Sequence, residues 1–115
     1  VKHRRTFCYI KDAVEIMRLL AESNDTIGNV YNVGNEEEEV TMNELALKII
    51  DLIGKKIVVN PLNSTSGSPK RRCPDISKLN KVINYKKQYS LKKGLQKTFE
   101  WYNANVFSGN MVSSI

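Results

Sequence analysis

Apolar residues recur at helical spacing in four stretches of the chain. Ala13, Ile16, Met17 and Leu20 mark the first, a helix to about Glu22 with Asp12 as its cap, broken by Asn24-Asp25-Thr26 and Gly28. The second carries Leu45, Ile49, Leu52 and Ile53 inward. Thr41-Met42-Asn43-Glu44 opens it in capping-box form, Glu44 and Lys48 pair on its outer side, and Gly54 supplies the left-handed stop. A short third helix, capped by Asp75, bears Ile76, Leu79, Val82 and Ile83. The fourth starts at Ser90 and turns Leu91, Leu95, Thr98 and Trp101-Tyr102 toward the core.

Three runs read as short strands from their β-branched and aromatic content: residues 5–10, 30–33 and 56–60. An acidic loop, Glu36 to Glu39, follows the second. All three prolines (Pro61, Pro69, Pro74) fall in one long loop after the third, and loops of that length usually carry function or are disordered. The pattern gives a small α/β piece of short strands with about four helices. It forms one unit over residues 1–107 and a frayed, flexible tail over 108–115.

At 115 residues, 41% hydrophobic and 26% charged, the chain has the composition of one folded domain or part of one. No apolar run approaches the ~20 residues of a membrane span. No apolar segment follows Val-Lys-His-Arg-Arg, so no secretory leader is read there, and a cytoplasmic location is expected. The first residue is not Met, which suggests a processed or excised chain. The six glycines are spaced so that neither G-x-G-x-x-G nor a P-loop is present. One histidine (His3) and two cysteines (Cys8, Cys73) do not make a metal site, and the cysteines read as reduced structural thiols.

The net charge of +6 is unevenly placed. Residues 70–97 hold ten basic groups against one acid, Asp75, whereas residues 1–69 hold eight basic and ten acidic groups. Such a segment is either a well-solvated surface or the contact for an anionic partner. Two arginine clusters stand out: Arg4-Arg5 at the first strand, and Lys70-Arg71-Arg72 in the long loop. Guanidinium forks suit phosphate oxygens. A basic nucleic-acid-binding module and a non-catalytic interaction domain are the rival readings, although no nucleic-acid-binding signature is present.

The motifs favour a different class. Arg5-Thr6-Phe7-Cys8-Tyr9-Ile10-Lys11-Asp12 resembles the R-x-F-x-Y-[VI]-x-D of the extended short-chain dehydrogenase/reductases, the NAD-dependent nucleotide-sugar epimerases and dehydratases. Val30-Tyr31-Asn32-Val33-Gly34 is similar to their V-Y-N-[VI]-G, and Val40-Thr41 with Glu44-Leu45-Ala46 to V-T-x-x-E-L-A. Pro69 to Lys78 resembles P-x-x-R-x-P-D-I-S-K, and Ser90 to Tyr102 resembles S-L-x-x-G-L-x-x-T-x-x-W-Y. The five pieces stand in order over residues 4–103. Ser68, where the family often has Asp, and Asn84-Tyr85-Lys86-Lys87, in place of G-W-x-P, depart from the pattern.

This resemblance implies the C-terminal, substrate-binding portion of a Rossmann-type enzyme. The parent would bind NAD through an N-terminal domain absent from this chain, and would oxidise and transform the sugar of a UDP- or dTDP-sugar. It would be a homodimer, with no nucleic-acid or membrane partner. The wording is close to both UDP-glucuronate decarboxylases and dTDP-glucose 4,6-dehydratases. The residues matching Arg5 and Arg72 reach the substrate diphosphate in the family, with Arg71 as substitute if the register shifts by one, and the Thr41 position lies near the nucleotide. No catalytic residue is expected here: Tyr89 and Lys93 have the Tyr-x-x-x-Lys spacing, but they straddle a helix cap with no Gly-rich turn. The chain alone is therefore expected to be inactive.

Overall fold

The computed structural model describes residues 2–108, and within them the first expected strand is cut to two residues, β1 (Arg4–Arg5). Two features shorten it. The Ala13 amide donates to the Tyr9 carbonyl at 3.1 Å, so helix α1 (Ile10–Glu22) claims the chain early. On the partner strand β3 (Arg71–Arg72), Pro74 has no N–H to continue the ladder after Thr6 donates to the Arg72 carbonyl at 3.2 Å. β1 is the central strand: it pairs antiparallel with β2 (Val40–Thr41) and parallel with β3, in the order β2-β1-β3. Expected strands at 30–33 and 56–60 join no ladder. Side chains hold the first instead: the Lys78 ammonium donates to the Val30 carbonyl (2.9 Å) and the Asn32 amide to the Asp75 carbonyl (3.1 Å). The second leaves Ile57 and Val58 50% and 84% exposed, too little burial to stabilise a strand.

Asp12 is not the cap of α1. Tyr9 holds that position without a side-chain bond, and Asp12 lies in the first turn, fully buried. Its carboxylate accepts from the Gln88 amide (3.0 Å), the Tyr89 amide (3.1 Å) and the Tyr85 hydroxyl. One buried charge therefore ties α1 to the segment leading into the last helix. Burial, with Asp12 alongside, pushes the Tyr85 phenol well above its ordinary range.

Helix α2 (Met42–Ile53) has the expected capping box. The Glu44 amide donates to Thr41 Oγ1 at 3.1 Å and the Thr41 amide to Glu44 Oε2 at 2.7 Å, and Gly54 closes the helix at φ 69°. With its carboxylate engaged at Thr41, Glu44 makes no ion pair with Lys48. Asp75 is not the cap of α3 (Ser77–Val82): Ile76 holds that position without a side-chain bond, and Asp75, one residue earlier, accepts the Ser77 amide at 2.9 Å. Helix α4 (Leu91–Tyr102) is capped by Ser90, and Tyr9 packs against its Gly94 so tightly that a Cβ there would meet the Tyr9 Cβ at 3.3 Å and its ring at 3.4 Å.

Ile16, Leu79 and Ile83 form the core, with Leu20, Val33 and Tyr85 packed around them. Four residues expected to face inward do not. Met17 lies on the open side of α1, and Trp101 and Tyr102 are about half exposed. These two belong to the end of α4, which runs past the core into a π-helical turn, Asn103–Phe107. Thr98 is exposed as well, its hydroxyl donating to the Gly94 carbonyl of its own helix. The expected tail, except Ser108, lies outside the described residues.

Candidate functional site

The strand register brings the two arginine clusters together. Arg4 stands opposite Arg71 and Arg5 opposite Arg72 on adjacent parallel strands. Successive side chains on a strand point to opposite faces, so Arg4 and Arg71 share one face and Arg5 and Arg72 the other. Like charges directly opposite on a sheet destabilise it unless something stands between them.

On the first face that something is Glu39. Its carboxylate accepts from Arg71 Nε at 2.7 Å and Nη2 at 3.2 Å, and lies 3.7 Å from Arg4 Nε. Arg4 Nη2 also donates to the Glu39 carbonyl at 3.2 Å. The Arg71 fork, and Arg4 behind it, hold the Glu39 carboxyl below the usual carboxylate range.

On the second face no carboxylate answers among the described residues. Arg5 donates only to neutral oxygens: Arg4 O at 2.7 Å, Pro69 O at 2.9 Å and, at the limit, Ser68 Oγ at 3.5 Å. Arg72 is exposed and has no carboxylate within ion-pair distance among the described residues. Arg5 borders an open hollow of about 490 Å³ with His3, Asn43, Asn60, Asn63 and Thr65. Arg72 borders a second hollow, of about 470 Å³, with Cys8 and Cys73, both free thiols. The more enclosed hollow between α1 and α3 contains Asp12, but three donors already occupy that carboxylate.

Of the four residues singled out from sequence, Arg5 and Arg72 are thus side by side with their charge uncompensated. Arg71 lies on the opposite face in an ion pair. Thr41 stands opposite Arg4 in the register and spends its hydroxyl on the capping box. The contribution of Glu39 was not foreseen. Its signal was present in the two Arg-Arg dipeptides: paired in parallel, they put two arginines on each face, and one face then needs an acid.

Within the basic stretch 70–97, three of the ten cations are held in ion pairs among the described residues. Lys87 contacts Glu38 at 2.6 Å and Glu37 at 3.0 Å, Lys97 contacts Glu100 at 3.2 Å, and Arg71 is bound by Glu39. Glu38, in the left-handed region at φ 55°, also accepts the Leu91 amide, which fastens the acidic loop to the start of α4.

No family model matches the chain. It is 38% identical over 91 residues to UDP-glucuronic acid decarboxylase 3 of Arabidopsis thaliana, covering 79% of this chain and 26% of that protein. It is 31% identical over 103 residues to a UDP-glucuronate 4-epimerase of Thermodesulfobacterium geofontis, covering 89% and 31%. Among solved structures, it superposes on UDP-glucuronic acid 4-epimerase from Bacillus cereus, in complex with UDP-glucuronic acid and NAD. The TM-score is 0.81 at 28% identity, over 90% of this chain and 33% of that one. dTDP-glucose 4,6-dehydratase from Bacillus anthracis, in complex with NAD, gives a TM-score of 0.73 at 26% identity, over 90% and 32%. The chain spans about a quarter to a third of the length of these relatives.

Proposed function

Because this chain belongs to the extended short-chain dehydrogenase/reductase family of nucleotide-sugar enzymes, we propose that it is the nucleotide-sugar-binding portion of such an enzyme. One observation carries the reading: Arg5 and Arg72 are paired across parallel strands with no carboxylate within ion-pair distance among the described residues, and each borders an open hollow, Arg5 the larger one. The missing charge is supplied by the diphosphate of a UDP- or dTDP-sugar. Arginine forks reach its oxygens, while the neutral Asn43, Asn60, Asn63 and Thr65 offer hydrogen bonds to the uncharged parts of the nucleotide.

In the whole enzyme, NAD would accept and return a hydride at the sugar. The described residues do not fit that cofactor. Their positive-φ glycines, Gly28, Gly54 and Gly67, stand singly in turns, and none forms a glycine-rich cradle before a helix. What these residues contribute is binding and orientation, by which a nucleotide sugar is held in place for chemistry supplied elsewhere.

Two relatives are named for acting on UDP-glucuronate, one as decarboxylase and one as epimerase, so a UDP-uronate is the substrate class we favour. Calorimetric titration of the chain with UDP and dTDP, beside inorganic phosphate, tests the reading. Saturable binding of a nucleoside diphosphate that weakens when Arg5 or Arg72 is removed is expected; no preference over phosphate refutes it. The nucleic-acid alternative has no binding signature in the sequence to support it.

A further inference from the structure

We propose that Glu39 is a positioning residue that decides which face of the arginine ladder accepts an anion; the proposal rests on the diphosphate reading above. Two parallel Arg-Arg dipeptides present two guanidinium groups on each face of the sheet. Left uncompensated, both faces would attract anions, which suits a long polyanion lying across the strands. Among the described residues, Glu39 is the one carboxylate within ion-pair distance of these arginines. It spans the two strands, with a two-point contact to Arg71 and a longer one to Arg4.

Its placement is enforced by its surroundings. The Glu39 side chain is 17% exposed while Arg71 is 65% exposed, so the carboxylate is the fixed partner and the arginine comes to it. Immediately before it, Glu38 is clamped by Lys87 and the Leu91 amide; immediately after it, Val40 enters β2 beside β1. Glu39 therefore silences Arg4 and Arg71, pulls their strands together, and leaves Arg5 and Arg72 as a one-sided clamp. A one-sided pair suits a short anion such as a nucleoside diphosphate and denies a polyanion its second face. Selectivity of this kind is a difference between two affinities, built by removing contacts to the wrong ligand.

The experiment compares the wild-type chain with Glu39→Gln, Glu39→Asp and the double variant Glu39→Gln with Arg71→Gln. UDP binding is measured by calorimetry, and binding of a single-stranded oligothymidylate by fluorescence anisotropy over a salt series. Glu39→Gln should bind the oligonucleotide about tenfold more tightly, with a salt slope steeper by about one phosphate contact. It should also bind UDP several-fold more weakly. Adding Arg71→Gln should remove most of that gain, leaving only the part due to Arg4, which a merely structural role for Glu39 would not produce. Glu39→Asp keeps the charge and should stay near wild type. Unchanged oligonucleotide binding in Glu39→Gln, or a gain as large in Glu39→Asp, would overturn the proposal. Failure of the wild-type chain to bind UDP would overturn the diphosphate reading alone, because the oligonucleotide comparison judges Glu39 separately.

Discussion

Glu39 grips Arg71 through two nitrogens, Nε at 2.7 Å and Nη2 at 3.2 Å, and so occupies it on the face opposite the one where its neighbour Arg72 stands beside Arg5. Consecutive arginines on one strand thereby acquire different roles, and their substitutions should have different effects.

Arg72→Ala should weaken UDP or dTDP binding roughly ten- to a hundredfold, since a charge-assisted hydrogen bond contributes about 1.5–3 kcal/mol. Arg72→Lys should recover part of this, because an ammonium cannot form the fork. Arg71→Ala should cost less, as should Lys86→Ala and Lys92→Ala. Calorimetry on these variants decides the point. Equal losses at Arg72 and the two lysines would indicate a diffuse electrostatic surface.

The chain by itself should show no turnover of a nucleotide sugar. It has no dinucleotide cradle among its described residues, and a hydride acceptor must be held against the sugar. NAD-dependent conversion of UDP-glucuronate by the purified chain, followed at 340 nm or by chromatography, would count against this.

Helix α1 presents Ile10, Val14 and Met17, each 55–63% exposed and spaced to lie along one side. That stripe should promote self-association and bind a dye that reports exposed apolar surface. Sedimentation over a concentration series checks it. A monomer with a sharp unfolding transition and no dye binding would contradict it.

Asp12→Asn should lower stability by about 1–3 kcal/mol, because the buried carboxylate serves three donors and an amide cannot accept from all of them. Tyr85→Phe removes only one of the three and should cost less. Urea unfolding of both variants measures the difference.

Acid should destabilise the fold. Glu39, Glu44 and Asp75 are held below their ordinary values of 4.5, 4.5 and 3.8 by Arg71, Thr41 and Ser77 respectively. A depressed carboxyl contributes stability above its unfolded value, and that contribution is lost as pH falls through the lower folded value. Denaturant midpoints should therefore decline below about pH 4.5. Glu39→Gln should flatten part of that decline.

The helices were legible in the sequence because their signals are local: the Thr41–Glu44 box, Gly54 and Ser90 all act within a few residues, although the third helix takes Ile76 rather than Asp75 as its cap. The strands were not. A run such as Val30–Val33 has strand composition, but a ladder needs a partner, and here Lys78 and Asn32 take the chain into side-chain contacts instead. Asp12 was read as a cap, the commonest use of Asp at a helix start, because its donors lie more than seventy residues away. Arg5 and Arg72 were legible as motif positions; that they are neighbours depends on a parallel register no local pattern encodes. Trp101 and Tyr102 were misplaced because periodicity cannot tell where a helix outruns its core.

The central strand of the sheet is the earliest element of the chain, while the strand bringing Arg72 to it comes after most of the described residues. Closing so long a loop has an entropic cost that no contact offsets until the strands meet. The helices, by contrast, need only neighbours in sequence, so contact order places them early and the arginine pair late. Refolding followed at two probes should then separate in time: helical ellipticity first, nucleotide binding afterwards. During that interval the chain would have secondary structure but no recognition, and a nucleoside diphosphate would stabilise only the finished state.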